Sequence, residues 1–386
     1  MRILVTSTPG TGHIHPLAPL ALALSQAGHE VRWATAQESC AQLADYGFTP
    51  VAAGMGLLER NAGLAPSMPE IMALEPRQRR GRLFSGFFAH IAAPRMRADL
   101  EAIFDSFDPD LVVHETSELA AAPMAMARGL PHVTVAFSGT LPDETVAMLL
   151  HAVTPLWEAE ELGVPTIADL FGDLYLHPFP PSFGQRPQLA ALQQLRPETF
   201  IPDPDAEAPV WMEEFGTERP GLYLTFGTEA AAVQAPWRAA LDAIAEQDVD
   251  CIATIGAHLD PDALGHIPAN VEIVPFVPHH LVLDRASIVV CHGGAGTLLA
   301  AASRGLPQLV VPLAADQWQN ADAVAASGAG LFAEFDRRSA SDLTECLDRL
   351  LDDASVREAA IRVASEIAAM PAATTYVGVI EALNEM

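Results

Sequence analysis

The opening 35 residues alternate in a way that few folds accommodate. Residues 3–6 are a short apolar run that reads as a buried strand. A turn at Pro9-Gly10-Thr11-Gly12 follows, then an apolar helix over about residues 16–27 that Gly28 ends as a C-terminal glycine would. Residues 31–34 resume the strand pattern. Two strands separated by a helix-length crossover pair in parallel, because antiparallel neighbours need only a tight turn. Further strands are expected at 110–113 and 132–136. The rhythm breaks near 200–220, where Ile-Pro-Asp-Pro-Asp-Ala-Glu-Ala-Pro suits an extended linker. It then restarts, with strands expected at 222–226, 251–255, 271–274, 288–291 and 308–311 and a helix near 237–246. A chain of 386 residues exceeds one ordinary core. The expectation is an α/β protein of two β-α domains.

Charge narrows the function. There are 49 acids against 21 bases, a formal net charge of −28, and no lysine at all. Nucleic acid and anionic lipid both require a basic face, so neither is expected as a partner. Without lysine there is no Schiff-base chemistry and no Walker phosphate loop. Cys40, Cys251, Cys291 and Cys346 are scattered, which argues for reduced thiols rather than a zinc knuckle or disulfide framework. No apolar run approaches the ~20 residues that span a bilayer. Met1-Arg2-Ile3-Leu4-Val5 leads straight into a strand rather than a secretory leader, so a cytoplasmic location is expected.

The most informative stretch is Ile288-Val289-Val290-Cys291-His292-Gly293-Gly294-Ala295-Gly296-Thr297. A buried strand ends in a small-residue turn and a helix opens directly. Such a turn bares backbone N–H groups at the positive end of a helix, where a diphosphate is stabilised. His292 and Thr297 can add side-chain donors. Downstream, a strand ending at Pro312 delivers Asp316 and Gln317 to its carboxyl end, where ligands bind in open α/β sheets. A carboxylate beside an amide suits sugar hydroxyls, each of which needs an acceptor and a donor.

Taken with Asn320-Ala321, these residues resemble the donor signature of nucleotide-sugar glycosyltransferases of the GT-B fold. In particular they resemble the bacterial enzymes that decorate polyketides and other natural products. Phe276-Val277-Pro278-His279 is similar to the family's nucleoside-base loop, and Phe226-Gly227-Thr228 to its diphosphate-contacting turn. The amino-terminal Gly10-Thr11-Gly12-His13-Ile14-His15-Pro16 extends the likeness. The resemblance implies two Rossmann-like β/α/β domains facing across a cleft. Residues 1–200 would bind the acceptor, 201–219 would link, 220–370 would bind the donor, and 371–386 would form a terminal helix packing back on the first domain. Implied donor contacts are Gly12, Thr228, Phe276, Val277, His279, His292, Gly294, Ala295, Gly296, Thr297, Asp316, Gln317 and Asn320. Gln317 leans toward a glucose-like sugar.

His13 is the base candidate. It follows Gly10-x-Gly12 at the mouth of the first strand, and histidine's ordinary pKa of ~6.5 suits removal of a hydroxyl proton. The resemblance gives His13 that role. The family places an aspartate after the strand at 111–113, to orient the base; here Glu115 fills the slot, with Glu118 as a fallback. Residues 55–100 interrupt the alternation, and acceptor specificity is expected there. Phe84 and Phe88 in that insertion, with Phe137 beyond it, are the acceptor-contact candidates. The arginines at 77, 79, 80 and 82 read as a solvated face.

Two decoys are set aside. His15 stands where the third glycine of a dinucleotide fingerprint belongs. The Asp-x-Asp pairs at 108/110, 203/205, 248/250 and 260/262 sit in apparent loops, so no metal site is expected. The reading is a metal-independent, inverting glycosyltransferase acting without a cofactor. It would take a UDP- or dTDP-sugar and a small natural-product-like acceptor, as a monomer or homodimer. The alternatives are a nucleotide-sugar epimerase of the same fold and a non-catalytic nucleotide-sugar-binding subunit.

Overall fold

The computed structural model describes residues 1–184, 189–201, 208–227, 235–256 and 259–385, and in it the short apolar runs become two separate parallel sheets. The first comprises β1 (Arg2–Thr6), β2 (Glu30–Thr35), β3 (Thr49–Ala52), β4 (Leu111–Glu115), β5 (His132–Val135), β6 (Leu174–His177) and β7 (Leu192–Gln194). Across this sheet the order is β3-β2-β1-β4-β5-β6-β7. The second comprises β8 (Gly221–Thr225), β9 (Asp250–Thr254), β10 (Val271–Val274), β11 (Ile288–Cys291), β12 (Gln308–Val310) and β13 (Gly330–Phe332), ordered β10-β9-β8-β11-β12-β13. Every pairing is parallel. In both sheets the strand order reverses direction once, between β1 and β4 and between β8 and β11. A crevice opens outside the carboxyl ends of the strands at such a reversal. That topology positions both sites described below.

Successive residues of each central strand enter opposite cores, as a period of two requires. Ile3 and Val5 pack with Leu20 and Leu24, while Leu4 between them packs with Val112 and Leu100. In the second sheet Tyr223 and Val289 face one core, and Leu222, Leu224 and Val290 face the other. Burial on both faces is why these strands read as unbroken apolar runs. Truncating fully buried Leu4 to alanine would cost about 2–5 kcal/mol.

The chain divides into two compact units, Met1–Pro178 with Arg186–Pro202 and Pro371–Met386, and Phe179–Gln185 with Asp203–Met370. Two boundaries therefore differ from expectation. Phe179 and Phe183 leave the first unit because their rings bury beside Met212 and Phe215 in a core of the second. The expected linker is not free chain where described: Val210–Met212 is a 3-10 turn, and Met212 and Phe215 are buried. Residues 202–207 lie outside the described residues. In the last segment Ala373, Tyr376 and Ile380 join the core that holds Ile3 and Leu20.

Two further expectations change. Arg80 belongs to no solvated face; it is 2% exposed. Its guanidinium donates to Ser138 Oγ at 2.7 Å and to the Gly139 carbonyl, tying the insertion to the loop after β5. The stretch Ala354–Leu383, which contains an 18-residue window of mean hydropathy 1.3, is long and apolar enough by length and composition to cross a membrane. It is not one continuous helix, because the helix Ala354–Ala369 stops at Met370, whose backbone is extended, before Pro371.

Candidate active site

In the first unit, β1 ends at Thr6 and the chain turns through Gly10, whose φ of 112° only glycine adopts readily, into the short helix Thr11–Ile14. That turn sets His13 beside the end of β4. His13 Nδ1 lies 3.1 Å from Glu115 Oε1. Glu115 has no exposed surface, yet its carboxylate is well furnished with donors. Thr8 donates from its hydroxyl at 2.8 Å and from its backbone N–H, and Ser117 donates likewise from both groups. Ser117 Oγ is also 3.3 Å from His13 Nδ1. Burial works to raise the Glu115 carboxyl, but the His13 imidazole and these donors outweigh it and hold the group down to about 2. An ionised carboxylate only accepts, so Nδ1 of His13 carries the hydrogen and Nε2 presents its lone pair.

Glu118, the fallback, does something else. It accepts from the Thr6 hydroxyl at 2.6 Å and from the Ala120 and Ala121 N–H groups, capping the helix Ala121–Ala127. Burial pushes its carboxyl up to about 7. His15 is likewise structural: it bonds the Tyr46 hydroxyl at 3.2 Å, packs against Phe200, and is pushed by burial down to about 4.

Two of the three phenylalanine candidates reach the base. The Phe137 ring centroid is 4.6 Å from the imidazole and that of Phe88 is 6.3 Å. Phe84 does not; it is buried in the core, 5.2 Å behind Phe88. Phe87 instead lines a narrow cavity of about 30 Å³ bordered by His13, Phe88, Met55 and Met96. Gly12 is exposed, with open space where a Cβ would stand.

The second unit carries the other group. β11 ends at Cys291, and His292-Gly293-Gly294 leads into the helix Ala295–Ala302, whose first turn has no side-chain cap. The amides of Ala295, Gly296 and Thr297 are therefore available to an anion. His292 folds against this turn so closely that a Cβ on Gly294 would stand 2.5 Å from its Nε2. Burial pushes His292 down to about 4, so it is a neutral imidazole, and its buried Nδ1 has no hydrogen-bond partner among the described residues. Gly296 faces open space.

Asp316 leads the helix Gln317–Ser327. Asn320 is fully buried and acts as a strut, donating to the Gly293 carbonyl and to Asp316 Oδ2, both at 2.8 Å. It holds the two loops together rather than facing outward. Gln317 also differs from expectation, because its carbonyl oxygen accepts from the Leu313 and Ala314 N–H groups at 2.7 and 2.8 Å. Only its NH₂ remains to offer a sugar. In the expected base loop Phe276 is 68% exposed, Val277 turns its side chain into the core, and His279 meets Tyr223 edge-on. Thr228 lies outside the described residues. Of the Asp-x-Asp pairs, Asp108 and Asp110 face Arg2, Asp250 faces Arg219, and Asp260 caps its own turn. Asp203 and Asp205 also lie outside the described residues.

Sequence reasoning passed over Thr8 and Ser117, since single hydroxyl residues beside a strand end carry no pattern. The one available signal was the spacing of Ser117 two residues after Glu115, which favours a local side-chain-to-backbone bond.

Comparison with known proteins bears on both groups. Residues 238–383 match the family model described as Erythromycin biosynthesis protein CIII-like, C-terminal domain. The L-demethylnoviosyl transferase of Streptomyces niveus is 32% identical over 389 residues, covering 96% of this chain and 95% of that protein. Among solved structures, the glycosyltransferase VinC in complex with dTDP superposes with a TM-score of 0.82 at 27% identity, covering all of both chains. The glycosyltransferase SnogD from Streptomyces nogalater gives 0.78 at 28%, covering 100% of this chain and 99% of that one. The chain belongs to the GT-B glycosyltransferases of antibiotic and natural-product biosynthesis.

Proposed function

We propose that this enzyme transfers a sugar from a dTDP-sugar to a hydroxyl of a small natural-product-like acceptor, with inversion at the anomeric carbon and His13 as general base. The observation that carries the reading is the imidazole of His13 held by a buried, ionised Glu115. With Nδ1 engaged by Glu115, Nε2 takes the acceptor proton as the acceptor oxygen bonds to the anomeric carbon. The bond to the diphosphate breaks on the opposite face, and its electron pair leaves with the diphosphate. Glu115 stabilises the imidazolium that forms. The charge developing on the leaving group meets the amides at the head of Ala295–Ala302 and a hydrogen bond from His292.

A dTDP donor is favoured over UDP by the likeness to VinC, which was solved with dTDP. With backbone dipoles facing the diphosphate, we propose that no metal is required, and that the enzyme works in the cytoplasm as a monomer or homodimer. The decisive experiment compares His13→Ala with the parent protein, measuring transfer and calorimetric dTDP binding. Loss of transfer with dTDP affinity retained is the expected result; appreciable turnover by the variant overturns the assignment. Transfer that fails in EDTA and returns with Mg²⁺ would overturn metal independence.

A further inference from the structure

At the end of β12 a side chain takes over from the strand ladder. The Ala333 N–H donates to the Val310 carbonyl, extending the pairing of β12 with β13 by one rung. Carbonyls on one edge of a strand recur every second residue, so the next acceptor on that side is Pro312. It is met by the Arg338 guanidinium, which reaches back from the chain beyond β13. The same guanidinium lies over two rings, 5.2 Å from the centroid of Trp318 and 5.0 Å from that of Phe335. Trp318 is buried at the head of the helix Gln317–Ser327, so Arg338 touches the loop before that helix on either side.

The loop needs holding. Ala315 has a φ of 53°, a left-handed conformation that a residue with a Cβ keeps only when its surroundings impose it. Within the loop, Gln317 accepts from the Leu313 and Ala314 N–H groups, and Asn320 donates to Asp316 Oδ2. Those bonds fix its shape, whereas Arg338 fixes where that shape sits against β12. Stability alone would not call for arginine here. Burial lowers its pKa, with the Glu334 carboxylate opposing, and its buried Nε meets no acceptor among the described residues. An apolar side chain would cover Trp318 without that cost. Arginine differs in giving Pro312 a donor and the rings a flat cation at once.

Resting on the reading that Asp316 and Gln317 meet the donor sugar, we propose that Arg338 is a positioning residue that sets this loop for the sugar. It touches no reacting atom and acts through the Pro312 carbonyl and the Trp318 ring. The turn that leads into Ala295–Ala302 is held by a different bond, from Asn320 to the Gly293 carbonyl. Binding of the nucleoside diphosphate by itself is therefore spared when Arg338 changes.

The test measures binding of dTDP and of dTDP-glucose by calorimetry on the intact enzyme, for the parent, Arg338→Gln, Arg338→Lys and Asp316→Asn. Arg338→Gln should weaken dTDP-glucose about fivefold to thirtyfold and dTDP by less than about twofold. Arg338→Lys keeps the cation without the planar fork, and should lose about threefold on dTDP-glucose alone. An equal loss for both ligands, with a lowered melting temperature, would make Arg338 merely structural and overturn the inference. Unchanged dTDP-glucose binding in both Arg338 variants overturns it too. If the glutamine variant does not fold, the lysine variant decides by the same comparison. Asp316→Asn separates the two readings: if it weakens dTDP-glucose while the Arg338 variants do not, only the role of Arg338 falls. If none of the three changes dTDP-glucose binding, or the parent binds neither ligand, the loop's place at the sugar falls with it.

Discussion

His13 Nδ1 and Glu115 Oε1 stand 3.1 Å apart, and the carboxylate half of the pair has no exposed surface. In the proposed mechanism such a buried charge fixes the imidazole's tautomer and compensates the imidazolium. Glu115→Gln keeps the shape and removes the charge. The expected result is a fall of about 10²- to 10⁴-fold in kcat with dTDP affinity unchanged. Steady-state kinetics beside calorimetry decides it, and near-normal turnover would show that Glu115 is only structural.

Glu115 stands where the family's pattern has aspartate, and Thr8 and Ser117 are what hold the longer side chain. Each donates a hydroxyl hydrogen at 2.8 Å to Oε1. Hydrogen bonds to a charged group are worth about 1.5–3 kcal/mol. Ser117→Ala should therefore lower kcat by about tenfold or more with little change in acceptor KM, while Ser117→Thr recovers part of it. A KM effect alone would assign Ser117 to acceptor binding instead.

The central strands other than β6 were legible from sequence because both faces of each sheet are buried and the residues form apolar runs. Of the edge strands only β10 was. β3 contains Pro50 and no buried residue, while β7 and β13 are three residues each, so none shows a clear period. His13, Glu115 and the glycine-rich turn were found by spacing. Spacing does not say where a side chain points, which is why Asn320 emerges as a buried strut and Gln317 as a loop brace. Phe84 was indistinguishable from Phe88 in sequence, since neighbouring aromatics on a helix differ only in the direction the winding gives them.

Glu118 makes stability depend on pH in an unusual direction. Burial raises its carboxyl from 4.5 to about 7 in the folded state. Between those values the native protein holds more protons than the unfolded chain, so stability declines as pH rises through the window and levels off above it. Glu118→Gln cannot ionise, so its unfolding midpoint should fall less steeply from pH 5 to 7.5 than that of the parent. The difference should be on the order of 1–3 kcal/mol. Parallel curves in urea melts across that range would refute the assignment.

Gly294 and Gly296 are two residues apart, yet alanine at each should act for different reasons. A Cβ on Gly294 would stand 2.5 Å from His292 Nε2, so the imidazole or the turn must move and both stability and dTDP affinity should suffer. A Cβ on Gly296 would meet no protein atom within 4 Å. Within a helix, alanine is favoured over glycine by roughly 0.5–1 kcal/mol, so Gly296→Ala should hold or raise the melting temperature. If the amides of this first turn receive a diphosphate, the same methyl group intrudes on the ligand, and dTDP affinity should drop about tenfold or more despite the firmer fold. Thermal melts and calorimetry on the two variants separate these outcomes. Undiminished dTDP binding by Gly296→Ala would place the diphosphate elsewhere.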